Sequence, residues 1–93
     1  MKSTVVIDTN ILLRYLRNDH PTLSNKAKEI FNKANKNILN IYLDEIILAE
    51  TIWVLASHYK TPKSQIVSKL LEQLYFDWIV NPRKKLMIKA LGL

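Results

Sequence analysis

Ninety-three residues make one domain with a thin core, since a chain of this size buries only about 60 to 65% of its unfolded surface. At 48% hydrophobic and 24% charged, with one glycine, three prolines and no cysteine, the composition excludes a disordered chain, a loop-rich fold, a disulfide framework and a cysteine metal site. The net charge of +6 is uneven, with seven basic and two acidic residues between 60 and 93, which fits either a polyanion partner or a solvated basic surface.

The chain opens on an apolar, β-branched run, Val5-Val6-Ile7, which stops on Asp8-Thr9-Asn10. This pattern predicts a buried strand that feeds a helix, with Asp8 at the strand's carboxyl end, where α/β sheets place their ligand sites. Ile11, Leu12, Tyr15 and Leu16 recur at helical spacing, so a helix is expected from about Thr9 to Arg17, broken by Asn18-Asp19-His20-Pro21. Leu23, Ala27, Ile30, Phe31 and Ala34 mark an amphipathic helix that ends at Asn35 to Asn37. Ile38 to Leu43 reads as the second strand, and Asp44 begins a second acidic junction.

From Asp44 to Tyr59 the pattern is helical and apolar nearly all round, which predicts burial on most sides. Thr61-Pro62 supplies a cap and a first-turn proline for a helix that turns Ile66, Val67, Leu70, Leu71 and Leu74 inward. Phe76 to Val80 reads as a third strand, then Asn81-Pro82 repeats the cap signature and Arg83 to Leu91 forms a basic helix closed by Gly92. Strands separated by helical crossovers imply a parallel sheet with right-handed connections. The longest uncharged run, Thr51 to Tyr59, is far below the roughly 18 residues of a membrane span. The segment before Asp8 is too short for a signal peptide, so the expectation is a cytoplasmic protein.

Two acids carry the chemistry. Asp8 suits a helix N-cap as well as it suits a ligand. Glu50 is the only charge between Ile46 and Ser57 and shares a helical stripe with Ile46, Ile47, Trp53 and Val54. A carboxylate on a buried stripe must be paired, protonated or metal-bound, so Glu50 is expected either to pair with Arg14 or Arg17 or to hold a cation. If the first two strands are neighbours, Asp8 and Glu50 face one crevice, a set of hard oxygen donors suited to Mg²⁺ or Mn²⁺. Such an ion can activate water and steady a phosphate in transfer, and the basic charge directs that chemistry toward phosphodiesters. His20 and His58 read as a turn residue and a surface residue, and Trp53, Trp78, Tyr42 and Phe76 as core.

Val5-Val6-Ile7-Asp8-Thr9-Asn10-Ile11-Leu12 with Arg14-Tyr15-Leu16, followed by Ile46-Ile47-Leu48-Ala49-Glu50-Thr51-Ile52-Trp53-Val54-Leu55, resembles the PIN-domain family, and within it the VapC-like toxins of toxin-antitoxin pairs. The resemblance implies a three-layer α/β/α fold with a parallel sheet, of which residues 1–93 form a single partial domain of about three strands and five helices. It also implies a Mg²⁺-dependent endoribonuclease held inactive by an antitoxin. Asp8 and Glu50 match two of the family's acidic metal ligands, Thr9 and Asn10 support the site, and Arg14 and Arg17 are candidate RNA contacts. The family carries further acids on a fourth strand-helix unit that is not reached by Leu93, and Asp77 is not their equivalent, so half a site is expected. The alternatives are a non-catalytic fragment that binds an antitoxin or itself, and a basic RNA-binding domain in which Asp8 caps and Glu50 pairs with arginine. In the family the first strand is central. Here its second edge is expected to be open and then covered, by another copy in a homo-oligomer or by the chain's own final segment.

Overall fold

The protein is described by a computed structural model covering residues 2–17 and 21–92. Its elements in order are β1 (Ser3–Val6), α1 (Thr9–Arg17), α2 (Pro21–Asn35), β2 (Leu39–Tyr42), α3 (Glu45–Ser57), α4 (Lys63–Leu74), β3 (Ile79–Val80) and α5 (Lys84–Gly92). The strands form one parallel sheet in the order β1-β2-β3. This is the α/β architecture anticipated from the alternation of apolar runs, with three strands and five helices. The predicted break at residues 18–20, including His20, lies outside the described residues.

Burial across the sheet is asymmetric. Val5, Ile7, Leu39, Ile41, Leu43 and Ile79 alternate onto one face and belong to a single hydrophobic cluster, as the period of two requires. On the other face Asn40, Tyr42 and Val80 are half-buried, Thr4 is exposed and Val6 is 72% exposed. Phe31 of α2 sits at the centre of the covered side. The Tyr15 ring of α1 stacks on it at 3.8 Å, and Trp78 meets it edge-on at 5.8 Å. Leu12, Leu70 and Leu74 complete the cluster from α1 and α4.

Local chemistry sets the boundaries. Asn37, at φ 61°, and Lys60, at φ 55°, take the left-handed conformation that closes a helix. The Thr61 N–H donates to Leu55 O at 2.8 Å, so Thr61 finishes α3 rather than capping α4 as expected. Helix α4 instead starts after Pro62, in extended geometry and without a side-chain cap. The third strand is shorter than anticipated because Phe76 to Trp78 form a turn. Ile79 N–H donates to Phe76 O, and the Lys84 ammonium donates to the carbonyls of Phe76 and Ile79 at 2.6 and 2.8 Å. At the other end Gly92 lies inside α5.

The largest departure is α3. Leu48, Thr51 and Leu55 are buried, but the stripe carrying Ile46, Glu50 and Trp53 faces outward, with Ile46 67% and Trp53 69% exposed. The grouping of these residues on one stripe was read correctly and its burial was not. Trp53 is therefore not core, whereas Trp78 is buried and Tyr42 and Phe76 are half-buried.

Asn81 fastens the third junction. Its Nδ2 donates to Leu43 O at 2.8 Å, and its Oδ1 accepts from Arg83 N–H at 2.7 Å. Asn81→Ala loses a cap and a cross-strand bond, so a fall of about 2 kcal/mol is expected. It should appear as a lower urea midpoint with an unchanged slope. Lys84 supplies a pH test. Burial lowers its pKa below the usual 10.5, and the Asp77 charge opposes this. The folded chain then holds less of this proton than the unfolded chain, so Lys84 makes stability rise with pH from the lowered value up to 10.5. Urea titrations of the protein and of Lys84→Met should diverge in that direction across the alkaline window.

Candidate functional site

The carboxyl edge of the sheet brings the acids together. Strands β1 and β2 pair with Ser3 opposite Leu39 and Val6 opposite Tyr42. Continuing that register two residues past each strand sets Asp8 against Asp44. The two acids perform the same local task. Asp8 Oδ1 accepts from Ile11 N–H at 2.9 Å and caps α1, while Asp44 Oδ1 accepts from Ile46 N–H at 2.7 Å and caps α3. Capping by a short polar side chain satisfies one of the free N–H groups of a helix's first turn, and the positive end of the helix dipole favours a carboxylate there.

One open cleft of about 430 Å³ is lined by both carboxylates together with Val6, Ile11, Ile46 and Ile47. Asp44 was read from the sequence only as the start of a junction. The signal that identifies it is the repetition of one pattern, an apolar run followed by an Asx residue and a helix, at Asp8, Asp44 and Asn81.

Glu50 stands in the second turn of α3, exposed rather than desolvated, which corrects the expectation of a buried carboxylate. No element among the described residues lies over its stripe closely enough to bury it. Its Oε2 accepts the Thr9 hydroxyl at 2.7 Å. Thr9 follows Asp8 directly, so this bond ties the second acid to the junction that holds the first. Thr9 therefore meets the site through Glu50, in the place where an arginine partner was the alternative.

Asn10, Arg14 and Arg17 gather elsewhere, in a separate small cleft with Leu13 and Tyr59. The Arg17 guanidinium lies over the Tyr59 ring at 3.5 Å, a cation–π contact that ties the end of α1 to the turn after α3. His58 is exposed and meets Tyr59 edge-on. Asp77 is also exposed and acts on Lys84.

The donor set bears on which cation could be held. Asp8 and Asp44 each spend one oxygen on a cap and keep the other, and Glu50 keeps Oε1 beyond its bond to Thr9. Among the described residues no group of three or more His, Cys, Asp or Glu side chains is drawn close enough to cage an ion. Hard oxygens offered one or two at a time fit Mg²⁺, which keeps several of its waters, better than Zn²⁺ or Ca²⁺.

The sequence model described as PIN domain matches residues 5–91. No curated protein and no solved structure gives a significant match.

The cap and the charge at position 8 can be separated. Asn caps as well as Asp, so Asp8→Asn is expected to unfold within about 0.5 kcal/mol of the parent, while Asp8→Ala loses about 1 kcal/mol. Equal losses in the two variants, read from urea midpoints, would mean that the carboxylate's charge rather than its cap bond holds α1.

Proposed function

The chain belongs to the PIN domain family, and from that premise we propose that it is a Mg²⁺-dependent endoribonuclease of the toxin type, acting on RNA phosphodiesters and restrained by a cognate antitoxin protein. Nuclease chemistry, RNA binding and dependence on a divalent metal are general to this family. The reading takes residues 1–93 as one partial PIN domain acting in the cytoplasm; no helix among the described residues is long and apolar enough to cross a membrane. The observation that carries it is the Thr9 hydroxyl on Glu50 at 2.7 Å, which links the acid-bearing end of β1 to the acid of α3.

Asp8 and Glu50 are the residues that hold the ion, Mg²⁺ or Mn²⁺, with Asp44 offering a further carboxylate oxygen beside Asp8. When bound, such an ion supplies a Lewis acid for phosphodiester hydrolysis, in which water adds at phosphorus and the P–O bond to the leaving nucleotide breaks. Thr9 fixes the rotamer of Glu50, and Asn10 supports the turn that carries both. Arg14 and Arg17 contact the RNA backbone, which positions the strand without reading its sequence. The lysines and arginines that give the chain its charge of +6 raise the encounter rate with RNA.

A second reading has its own support. With no group of three or more ligating side chains among the described residues, and with one edge of β1 unpaired, the chain also suits a non-catalytic PIN domain that binds an antitoxin or a second copy of itself. A plain basic RNA-binding domain is the third possibility.

Incubation of structured RNA with the protein and Mg²⁺ separates the three. The nuclease reading expects cleavage that chelator abolishes and that Asp8→Asn and Glu50→Gln each remove, while Thr9→Val, which leaves both carboxylates in place, costs about tenfold to a hundredfold. Absence of cleavage in every sample would overturn catalysis and favour the partner-binding reading. RNA retention indifferent to chelator and to Glu50→Gln would favour the third.

A further inference from the structure

The outer edge of β1 has an alternation that can be read from its inner edge. On β2, Ile41 and Leu43 donate their N–H groups to Trp78 and Val80 O, at 2.7 and 3.2 Å, toward β3. The intervening Asn40 and Tyr42 therefore serve β1. In a parallel ladder each of them bonds the residues on either side of its own partner. Those partners are Thr4 and Val6, so the β1 residues bonded inward are Ser3, Val5 and Ile7. Thr4 and Val6 are left with N–H and C=O groups pointing away from the sheet. They are also exposed, Val6 at 72%. No other strand among the described residues pairs with this edge, and α5, which lines clefts beside α3 and α4, does not reach it.

We infer that two copies of this chain associate through antiparallel pairing of their β1 edges, with the two-fold axis at Val5 and with Lys2 of each copy opposite Asp8 of the other. The inference rests on the reading above in which the open edge is a self-association surface, and it adds the register. Antiparallel pairing exchanges bonds only between outward-facing residues, so Thr4 and Val6 must meet Thr4 and Val6 of the second copy. Three registers do this: Thr4 on Thr4, Val6 on Val6, or Thr4 on Val6. The last uses both residues twice and makes the longest overlap. It also sets Val5 against Val5 as a non-hydrogen-bonded pair on the axis, and it repeats the closed two-fold symmetry of most small oligomers.

Charge selects the same register. Lys2 precedes the strand and is exposed, and Asp8 follows it with one carboxylate oxygen outside its cap bond. With Val5 on the axis the two are directly opposite, twice, and like charges are kept apart. Neither of the other registers places Lys2 against Asp8. A strand of four residues makes a small interface, so the association belongs to the weak, transient class. The net charge of +6 opposes it, an effect reduced at physiological ionic strength, where the Debye length is about 8 Å. In the dimer, the ammonium of Lys2 lies at the mouth of the cleft lined by Asp8 of the second copy, so self-association and the candidate site share a carboxylate.

The experiment uses the whole chain, which has no native cysteine. Sedimentation equilibrium at physiological salt over a wide concentration range is expected to show a reversible monomer–dimer equilibrium. Val6→Pro removes an outward N–H without touching the bonds to β2 and should abolish dimerisation with the far-UV circular dichroism unchanged. Lys2→Glu, which faces Asp8 with a like charge twice, should weaken it about tenfold.

The register is read by oxidation. In Val5→Cys the paired Cα atoms stand about 4.5 Å apart, within disulfide reach, whereas in Ser3→Cys the two copies' sulfurs are separated by about 13 Å along the strand. A covalent dimer from Val5→Cys and none from Ser3→Cys supports the proposal, and this arm decides it even if Val6→Pro fails to fold. A monomer at every concentration overturns self-association altogether. A dimer in which Val5→Cys cross-links no faster than Ser3→Cys, or which Val6→Pro leaves intact, overturns the register while the self-association reading stands.

Discussion

The pairing of β1 with β2 is the constraint from which the candidate site follows. Ser3 through Val6 lie against Leu39 through Tyr42 without a bulge or slip. Both strands end on one buried residue, Ile7 or Leu43, and then on an aspartate that caps the next helix. A slip of one residue would turn Ile41 and Leu43 out of the core and separate the two acids at once, so the hydrophobic pattern that fixes the register also fixes the site. The acids owe their proximity to core packing and their orientation to capping, and neither depends on a ligand.

The fold was legible where physics is local. Apolar runs ending on Asp8, Asp44 and Asn81 marked each strand-to-helix junction, because a side-chain oxygen that accepts a first-turn N–H leaves its signature within four residues. The helix over Thr9–Arg17 was readable to its ends for the same reason. What escaped the sequence depended on distant contacts. Phe76 to Trp78 have the residue types of a strand, but Lys84 holds the carbonyls of Phe76 and Ile79 from α5 and favours a turn there. Thr61 has the residue type of a cap, but its N–H is already engaged in closing α3.

Glu50 shows the same limit at the site. Helical spacing correctly grouped it with Ile46 and Trp53, yet spacing says which residues share a stripe and not which stripe is covered. A helix that is apolar on every side can turn any of its faces to the core, and the choice here falls to Leu48, Thr51 and Leu55. The exposed stripe, with Val6 beyond it on β1, leaves large apolar side chains around the acidic cleft. Single exposed apolar residues need no explanation, but a set lining one cleft next to an unpaired strand edge has the character of a surface that meets another molecule.

The double duty of the carboxylates sets how strongly the cleft can attract a cation. Each helix beginning at the site carries roughly half a positive charge at its N-terminus, and Asp8 and Asp44 each give one oxygen to that terminus. The helix ends thus offset about half of the charge on each acid, which is why two carboxylates can stand abreast at the sheet edge without a counter-ion between them. The same offset reduces what an arriving cation gains. Glu50 differs in kind: it stands beyond the first turn of α3, accepts a neutral hydroxyl, and keeps its full charge. The strongest pull on a cation therefore comes from the α3 side of the cleft, with Asp8 and Asp44 as the wall against which it is held, and Thr9 is the residue that makes those two parts one site.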